Sequence, residues 1–312
     1  MEHKETRQGY VDALVELGRE NPDVLVLDCD VAKATRTYVF EAAFPERFFN
    51  CGVQEGNMMS VAAGLALEGF LPFATTFAMF ATCRAGDQVR NSIAYPKVNV
   101  KIGATHGGIT TGGDGASHQA NEDIAIMRAM PNMIVIVPGD YEEAKQATIA
   151  AAQIKGPVYL RFGRDRYPVV EAVHGEFTIG KAKLLRPGSD VTIVTTGIMV
   201  SEGLQASEAL EGEGVSARVL HLPTVKPLDG DALLAAARET RGFVTAEEHS
   251  IIGGLGEAVS SFLAEHLPRP VGRVGIKDVF GESGMAGELM DRHGLRACNI
   301  ASEARVMLRE KQ

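Results

Sequence analysis

The chain has no tryptophan, and aromatic residues make up only 6% of its 312 positions. Its core must therefore be built mainly from aliphatic side chains. Cysteine is scarce too: Cys29, Cys51, Cys83 and Cys298 stand far apart, with no CxxC or other metal-ligand spacing. Such cysteines are expected as reduced thiols, mostly in packed positions. Positive charge is in deficit, with 31 Lys and Arg against 40 Asp and Glu and a net charge of −9. That balance argues against general nucleic-acid binding, so any anion site must gather its arginines locally. No window is long and apolar enough to span a bilayer, and the opening MEHKETRQGY lacks the apolar core of a secretory signal. The expectation is a cytoplasmic protein with neither nucleic acid nor membrane as partner.

What is present is length for roughly two domains and an alternation of strand and helix patterns. Arg7 to Glu20 has helical spacing, and VLVLDCD (24–30) reads as a buried strand ending in Asp28 and Asp30. Carboxylates at that end of a strand stand where open α/β sheets bind ligands. Residues 47–69 pass from a short extended piece into an apolar helix rich in small residues, where Ala62, Ala63, Gly64 and Ala66 suit either a subunit contact or the chain's own core. Glu55 opens that helix. It is either a carboxylate stripped of solvent and favoured in its protonated, hydrogen-bond-donating form, or an ordinary acidic residue at a helix N-terminus. Residues 70–92 read as a strand entering a helix and carry Phe73, Phe77 and Phe80, as core or as a ligand platform.

Further strands are expected over 98–105, 133–140 and 157–164, and helices over 122–130 and 141–153. This pace predicts a parallel, doubly wound domain over 1–170. Residues 171–189 read as a linker with a short hairpin, followed by a second α/β domain over 190–312 whose final helix starts near Gly284. The fold class expected is α/β with two doubly wound domains. The turn GGLGEAV (253–259) resembles half of a dinucleotide fingerprint but reads better as tight helix–strand packing.

The stretch KIGATHGGITTGGDGASHQ (101–119) concentrates glycine with His106, Asp114, Ser117 and His118. Glycine frees the backbone and lets a ligand approach closely. The histidines and aspartate suit a polar pocket wall, although a surface turn with incidental histidines has the same composition.

Taken together, GVQEGNM (52–58), TTFAMF (75–80) and the run from Gly103 to Asp140 resemble the thiamine-diphosphate enzymes of the transketolase group, in order and spacing. The resemblance covers nearly the whole chain, as a pyrimidine-binding domain followed by a transketolase C-terminal domain. It implies that Glu55 lies against the cofactor's aminopyrimidine and that Phe77 stacks on that ring with Phe80 beside it. It also implies that Asp30 reaches the cofactor of a neighbouring subunit. His118 matches a histidine near the reacting hydroxyl, Asp114 a residue reading a sugar hydroxyl, and His106, Arg7 and Arg164 a terminal-phosphate grip. Arg161 and Arg166 compete with Arg164 for its match. Two positions depart from the family: Cys83 stands for a tyrosine, and Ala34 or Thr35 for a serine.

The diphosphate motif of full-length transketolases has no match here, since the only GDG (113–115) belongs to the central loop. The resemblance therefore implies the β half of a split transketolase. A separate N-terminal subunit would hold Mg²⁺ or Ca²⁺, no metal ligand would come from this chain, and an α2β2 heterotetramer would act in the pentose phosphate pathway. Alternatives are a deoxyxylulose phosphate synthase fragment, a 2-oxoacid dehydrogenase β subunit, a relative handling sulfonated or branched sugars, or a non-catalytic partner.

Overall fold

The computed structural model describes residues 2–309. Its strands in chain order are β1 (His3–Glu5), β2 (Val24–Asp28), β3 (Phe48–Asn50), β4 (Leu71–Phe77), β5 (Lys101–Thr105), β6 (Ile134–Ile136), β7 (Val158–Arg161) and β8 (Arg166–Pro168). β9 (Lys183–Arg186), β10 (Val191–Thr195), β11 (Ala217–His221), β12 (Thr224–Lys226), β13 (Gly242–Ser250) and β14 (Val271–Ile276) follow. Strands β2, β4, β5 and β7 are buried along their whole length. Burial on both faces is why they read as continuous apolar runs rather than as alternating patterns.

Seven strands form the first sheet, in the order β12-β6-β7-β5-β4-β2-β3. All its pairs are parallel except β12 with β6. The second sheet runs β14-β13-β10-β11-β9 and is parallel apart from β9. Two α/β units with parallel cores are thus present, each with an antiparallel edge strand.

Helix Thr6–Glu20 packs against helix Tyr141–Gln153 at Gly9, where a Cβ would come within 2.1 Å of the Tyr141 carbonyl oxygen. The second of these helices starts at Asp140, whose Oδ1 accepts from the Glu143 N–H at 2.9 Å, a side-chain N-cap. After β4 the chain enters a helical run that is π-helical over Phe80–Arg84 and Val89–Ala94. Such widened turns often re-aim side chains at functional sites.

Several expectations need correction. There is no hairpin in 171–190: β9 is an edge strand paired antiparallel with β11. β14, a ribbon of β1 with β8, and the helix Ala297–Arg309 were not foreseen. Of the four cysteines only Cys29 is buried, while Cys83 and Cys298 are exposed. Ala62 and Ala63 face the chain's own core, whereas Gly64 and Leu67 face outward. In the GGLGEAV turn, Glu247 accepts from the N–H groups of Leu255 and Gly256 at 2.7 and 2.8 Å. A protein carboxylate thus fills the place a phosphate would take at that helix N-terminus, which supports the packing reading.

Candidate active site

Parallel strands bring their C-terminal ends to one edge, and the candidate residues collect there. β4 ends at Phe77 and β5 runs straight into His106. The two rings stack with centroids 3.7 Å apart. Phe80 stacks on Phe77 at 5.7 Å, and His118 meets the edges of both, 5.2 Å from Phe80 and 6.0 Å from Phe77. Four expected residues thus form one aromatic cluster. Phe77 is only 7% exposed between these neighbours, so Phe80 is the more accessible ring, and Phe73 belongs wholly to the core.

Glu55 is 2% exposed at the first turn of helix Glu55–Leu67. The half-exposed guanidinium of Arg84 stands 3.3 Å from each of its carboxylate oxygens and over the Phe80 ring at 4.4 Å. The loss of solvent expected for Glu55 is therefore real, and the carboxyl meets a cation there. Sequence reasoning missed Arg84. Its signal was the i, i+4 spacing from Phe80 on a helix.

His106 sits at a φ of 60° and is almost fully buried. Arg7 Nη1 lies 3.4 Å from its Nε2, and Thr105 Oγ1 lies 2.8 Å from its Nδ1. Arginine has only donors, so Nε2 accepts and Nδ1 carries the proton that goes to Thr105. Burial first, then Arg7 and Arg164, push this imidazole down to about 3, which keeps it neutral. His106 accordingly orients Arg7 and adds no charge of its own.

Arg7 also donates to the Ala34 carbonyl at 2.7 Å and, through Nε, to Glu5 at 3.0 Å. Thr35 is fully buried and its hydroxyl binds Asp28, so it is not free to replace the family's serine. Arg164 donates to the Thr111 carbonyl at 2.8 Å, and its Nε stands 4.0 Å from Asp114. Arg7, Arg164 and Arg166 line one cleft of about 330 Å³ with Glu5, Thr110, Asp165 and the segment 284–286 from the second half. Arg161 is excluded as a competitor because it is buried, 2.7 Å from Asp123, and donates to the carbonyls of Ala120 and Glu248.

Asp30 stays apart from this group. Exposed and at a φ of 64°, it accepts from Asn50 Nδ2 at 3.2 Å and touches none of the other candidates. The glycine loop, in contrast, is fixed by the second half of the chain. Glu248 Oε1 accepts from the Thr110 N–H at 2.7 Å, and Gln119 Nε2 donates to the carbonyls of Ile109, Gly112 and Glu282. At Gly108, with φ +81°, a Cβ would lie 2.3 Å from the Glu248 carboxyl, so only glycine fits. Burial pushes Glu248 up to about 7.

A buried carboxyl beside an accessible aromatic ring suits one end of a heteroaromatic ligand with a ring nitrogen, so the pyrimidine end of thiamine diphosphate fits the residues present. Among the described residues, no group of three or more His, Cys, Asp or Glu side chains could hold a metal ion, and no helix is long and apolar enough to cross a membrane.

The family pattern for "Transketolase, pyrimidine binding domain" matches residues 2–170, and that for "Transketolase, C-terminal domain" matches residues 180–300. A Methanocaldococcus jannaschii protein provisionally described as a transketolase C-terminal section is 48% identical over 303 residues, which span 96% of this chain and 95% of that one. A 6-deoxy-6-sulfo-D-fructose transketolase subunit from Clostridium sp. (strain MSTE9) is 43% identical over 98% of this chain and 95% of its own length. Among solved structures, a split-gene transketolase described as an inactive β4 tetramer superposes with a TM-score of 0.92 at 50% identity, covering 99% of both chains. The chain belongs to the transketolase family and corresponds to its C-terminal section, the pyrimidine-binding domain followed by the transketolase C-terminal domain.

Proposed function

We propose that this chain is the β subunit of a split transketolase, moving a two-carbon ketol unit between sugar phosphates in the cytoplasm as part of the pentose phosphate pathway. It acts with a separate N-terminal subunit, in an α2β2 assembly, which binds the diphosphate and holds Mg²⁺ or Ca²⁺. The domains divide as 1–170 and 190–312 around a linker. The observation that carries this reading is the buried Glu55 carboxyl, joined through Arg84 to the Phe80 ring of the cluster with Phe77, His106 and His118, which in turn meets the arginine-lined cleft at Arg7.

Thiamine diphosphate, when bound, supplies the carbon nucleophile and the electron sink for breaking the carbon–carbon bond. Glu55 would hold the cofactor's pyrimidine end through its buried carboxyl, at the place where Arg84 meets it in the free chain. Phe77 and Phe80 pack against the ring and exclude water. His118, with Ser117 Oγ 2.9 Å from its Nδ1, relays the proton of the sugar hydroxyl at the reacting carbon. Asp114 accepts from a second sugar hydroxyl. Arg7 and Arg164 grip the terminal anion, with His106 orienting Arg7. Asp30 serves the neighbouring subunit's cofactor from the exposed rim.

The test is ketol transfer from xylulose 5-phosphate to ribose 5-phosphate with thiamine diphosphate and Mg²⁺, using the chain alone and the chain joined to its captured partner. Activity in the joined complex alone, abolished by Glu55→Gln with assembly intact, is the expected result. Activity of the isolated chain, or a Glu55→Gln complex at full rate, would sink the proposal.

A further inference from the structure

The three arginines that line the cleft are not equivalent. Arg7 has Nε on Glu5 at 3.0 Å and Nη1 on the Ala34 carbonyl at 2.7 Å, with His106 Nε2 at 3.4 Å from the same Nη1. Arg164 has Nη1 on the Thr111 carbonyl at 2.8 Å and Nε 4.0 Å from Asp114. The two carboxylates in the wall are engaged as well. Glu5 accepts two further bonds from Arg36, at 3.0 and 2.9 Å, and Asp165 Oδ1 accepts from the backbone N–H of Arg166 at 2.8 Å. The exposed guanidinium of Arg166 stands apart: among the described residues, it has neither a hydrogen-bond partner nor an ion pair. It also borders the neighbouring cavity with Glu5 and Asp12, but Asp12 there already accepts from Gln8 and Tyr141.

The backbone of Arg166, in contrast, is held on both sides. Arg166 stands opposite Glu5 in the ribbon of β1 with β8, followed by Tyr167 opposite Lys4. Tyr167 is buried, with its hydroxyl 2.7 Å from Thr110 Oγ1 and accepting from the Asp165 N–H at 3.3 Å. A fixed root thus presents an uncommitted head on the wall that Arg7 and Arg164 share. Arg7 has Nε and Nη1 engaged and meets a ligand mainly through Nη2, whereas Arg166 keeps all its N–H donors and both edges of its fork. We infer that Arg166 is a further substrate-binding residue, which closes on the terminal phosphate of the sugar and supplies the two-nitrogen contact that Arg7 does not. The inference rests on the reading that this cleft takes the phosphate end of the sugar phosphate. Arg7 and Arg164, held in place by the protein, set where the anion sits, and Arg166 adds grip once it is there. Arg164 and Arg166 therefore act together instead of competing for one role. Because the contact is remote from the reacting carbon, it holds substrate and transition state alike and acts on KM, not on kcat.

The test is steady-state kinetics of the partnered enzyme with xylulose 5-phosphate and with D-xylulose, the same ketose without its phosphate, as donors, ribose 5-phosphate being kept saturating. Arg166→Gln should raise the KM for xylulose 5-phosphate on the order of tenfold, keep kcat within about twofold and leave kcat/KM for xylulose unchanged. Arg166→Lys keeps the charge but loses the fork, and should raise that KM only about threefold. Both variants should melt with wild type, because the altered head touches nothing in the free chain. Inorganic phosphate titrated calorimetrically into the full chain should bind more weakly to Arg166→Gln by a similar factor. An unchanged KM for xylulose 5-phosphate would mark Arg166 as a solvated surface residue and overturn the inference. Equal losses with both donors would overturn it too, since a phosphate contact cannot act on a substrate that has none. If neither donor reacts, the ketol-transfer reading fails and the phosphate titration decides the role of Arg166. Weaker binding by Arg166→Gln than by wild type then keeps the anion contact, whereas equal affinity, or no binding by either chain, removes it.

Discussion

Replacing Arg84 by methionine tests the electrostatic balance around Glu55. In the free chain the Arg84 guanidinium is the cation that meets a carboxylate only 2% exposed. Two unit charges at about 4 Å are worth about 1 kcal/mol in water and about 4 kcal/mol at an effective dielectric of 20. Because the Arg84 side chain is 52% exposed, the screened end of that range applies, about 1 kcal/mol. The Arg84→Met chain should melt about 1–2 °C lower. In a Glu55→Gln background the same substitution should cost almost nothing, because no charge remains to be paired. Cofactor binding should respond in the opposite direction. Arg84 lies on both Glu55 and Phe80, where the pyrimidine ring is proposed to sit, so its removal should tighten thiamine diphosphate binding to the partnered complex about fivefold. Differential scanning calorimetry of the single and double variants, with titration of the cofactor into the complex, reads both effects. If Arg84→Met destabilises the Glu55→Gln chain as much as the wild type, or weakens the cofactor in step with stability, the reasoning about this pair is wrong.

Two further outcomes can be checked on the chain alone. Glu247→Ala strips two buried N–H groups of their acceptor at the start of helix Leu255–His266 and should cost about 2–3 kcal/mol in urea unfolding. His106 has its folded-state pKa lowered to about 3 from an ordinary 6.5, so its contribution is fully present above 6.5 and is lost as pH falls toward 3. The stability gap between wild type and His106→Gln should accordingly narrow from pH 7.5 to pH 5, and a constant gap would argue against a buried neutral imidazole.

Much of the fold was legible because the buried parallel strands are apolar runs and the helices between them have clear periodicity; helix Tyr141–Gln153 fell where the sequence placed it. β14 escaped because VGRVGI carries two glycines and an arginine, residues that weaken a strand signal. The supposed hairpin failed because Lys183–Arg186 pairs with β11, from Arg186 opposite Val219 to Lys183 opposite His221, and local reading sees only adjacent partners. The glycine loop and Glu55 were legible from chemistry and resemblance, and the structure places Phe77, Phe80, His106 and His118 together. The charges that temper the site were not legible. Arg84 approaches Glu55 across 29 positions and Arg36 approaches Glu5 across 31, pairings that depend on tertiary packing rather than on any short-range pattern.

β12 has a consequence for how this polypeptide can be divided. Thr224 to Lys226 belong to the second half in sequence, yet they form the outer strand of the first sheet, with Thr224 opposite Ile136. A fragment ending near residue 170 would leave β6 as a bare apolar edge, open to pairing with any extended chain it meets. The two halves are thus laced through a shared sheet and should melt as one cooperative unit. A gene fission that respects this architecture must cut ahead of the pyrimidine-binding domain, not between the two domains found here.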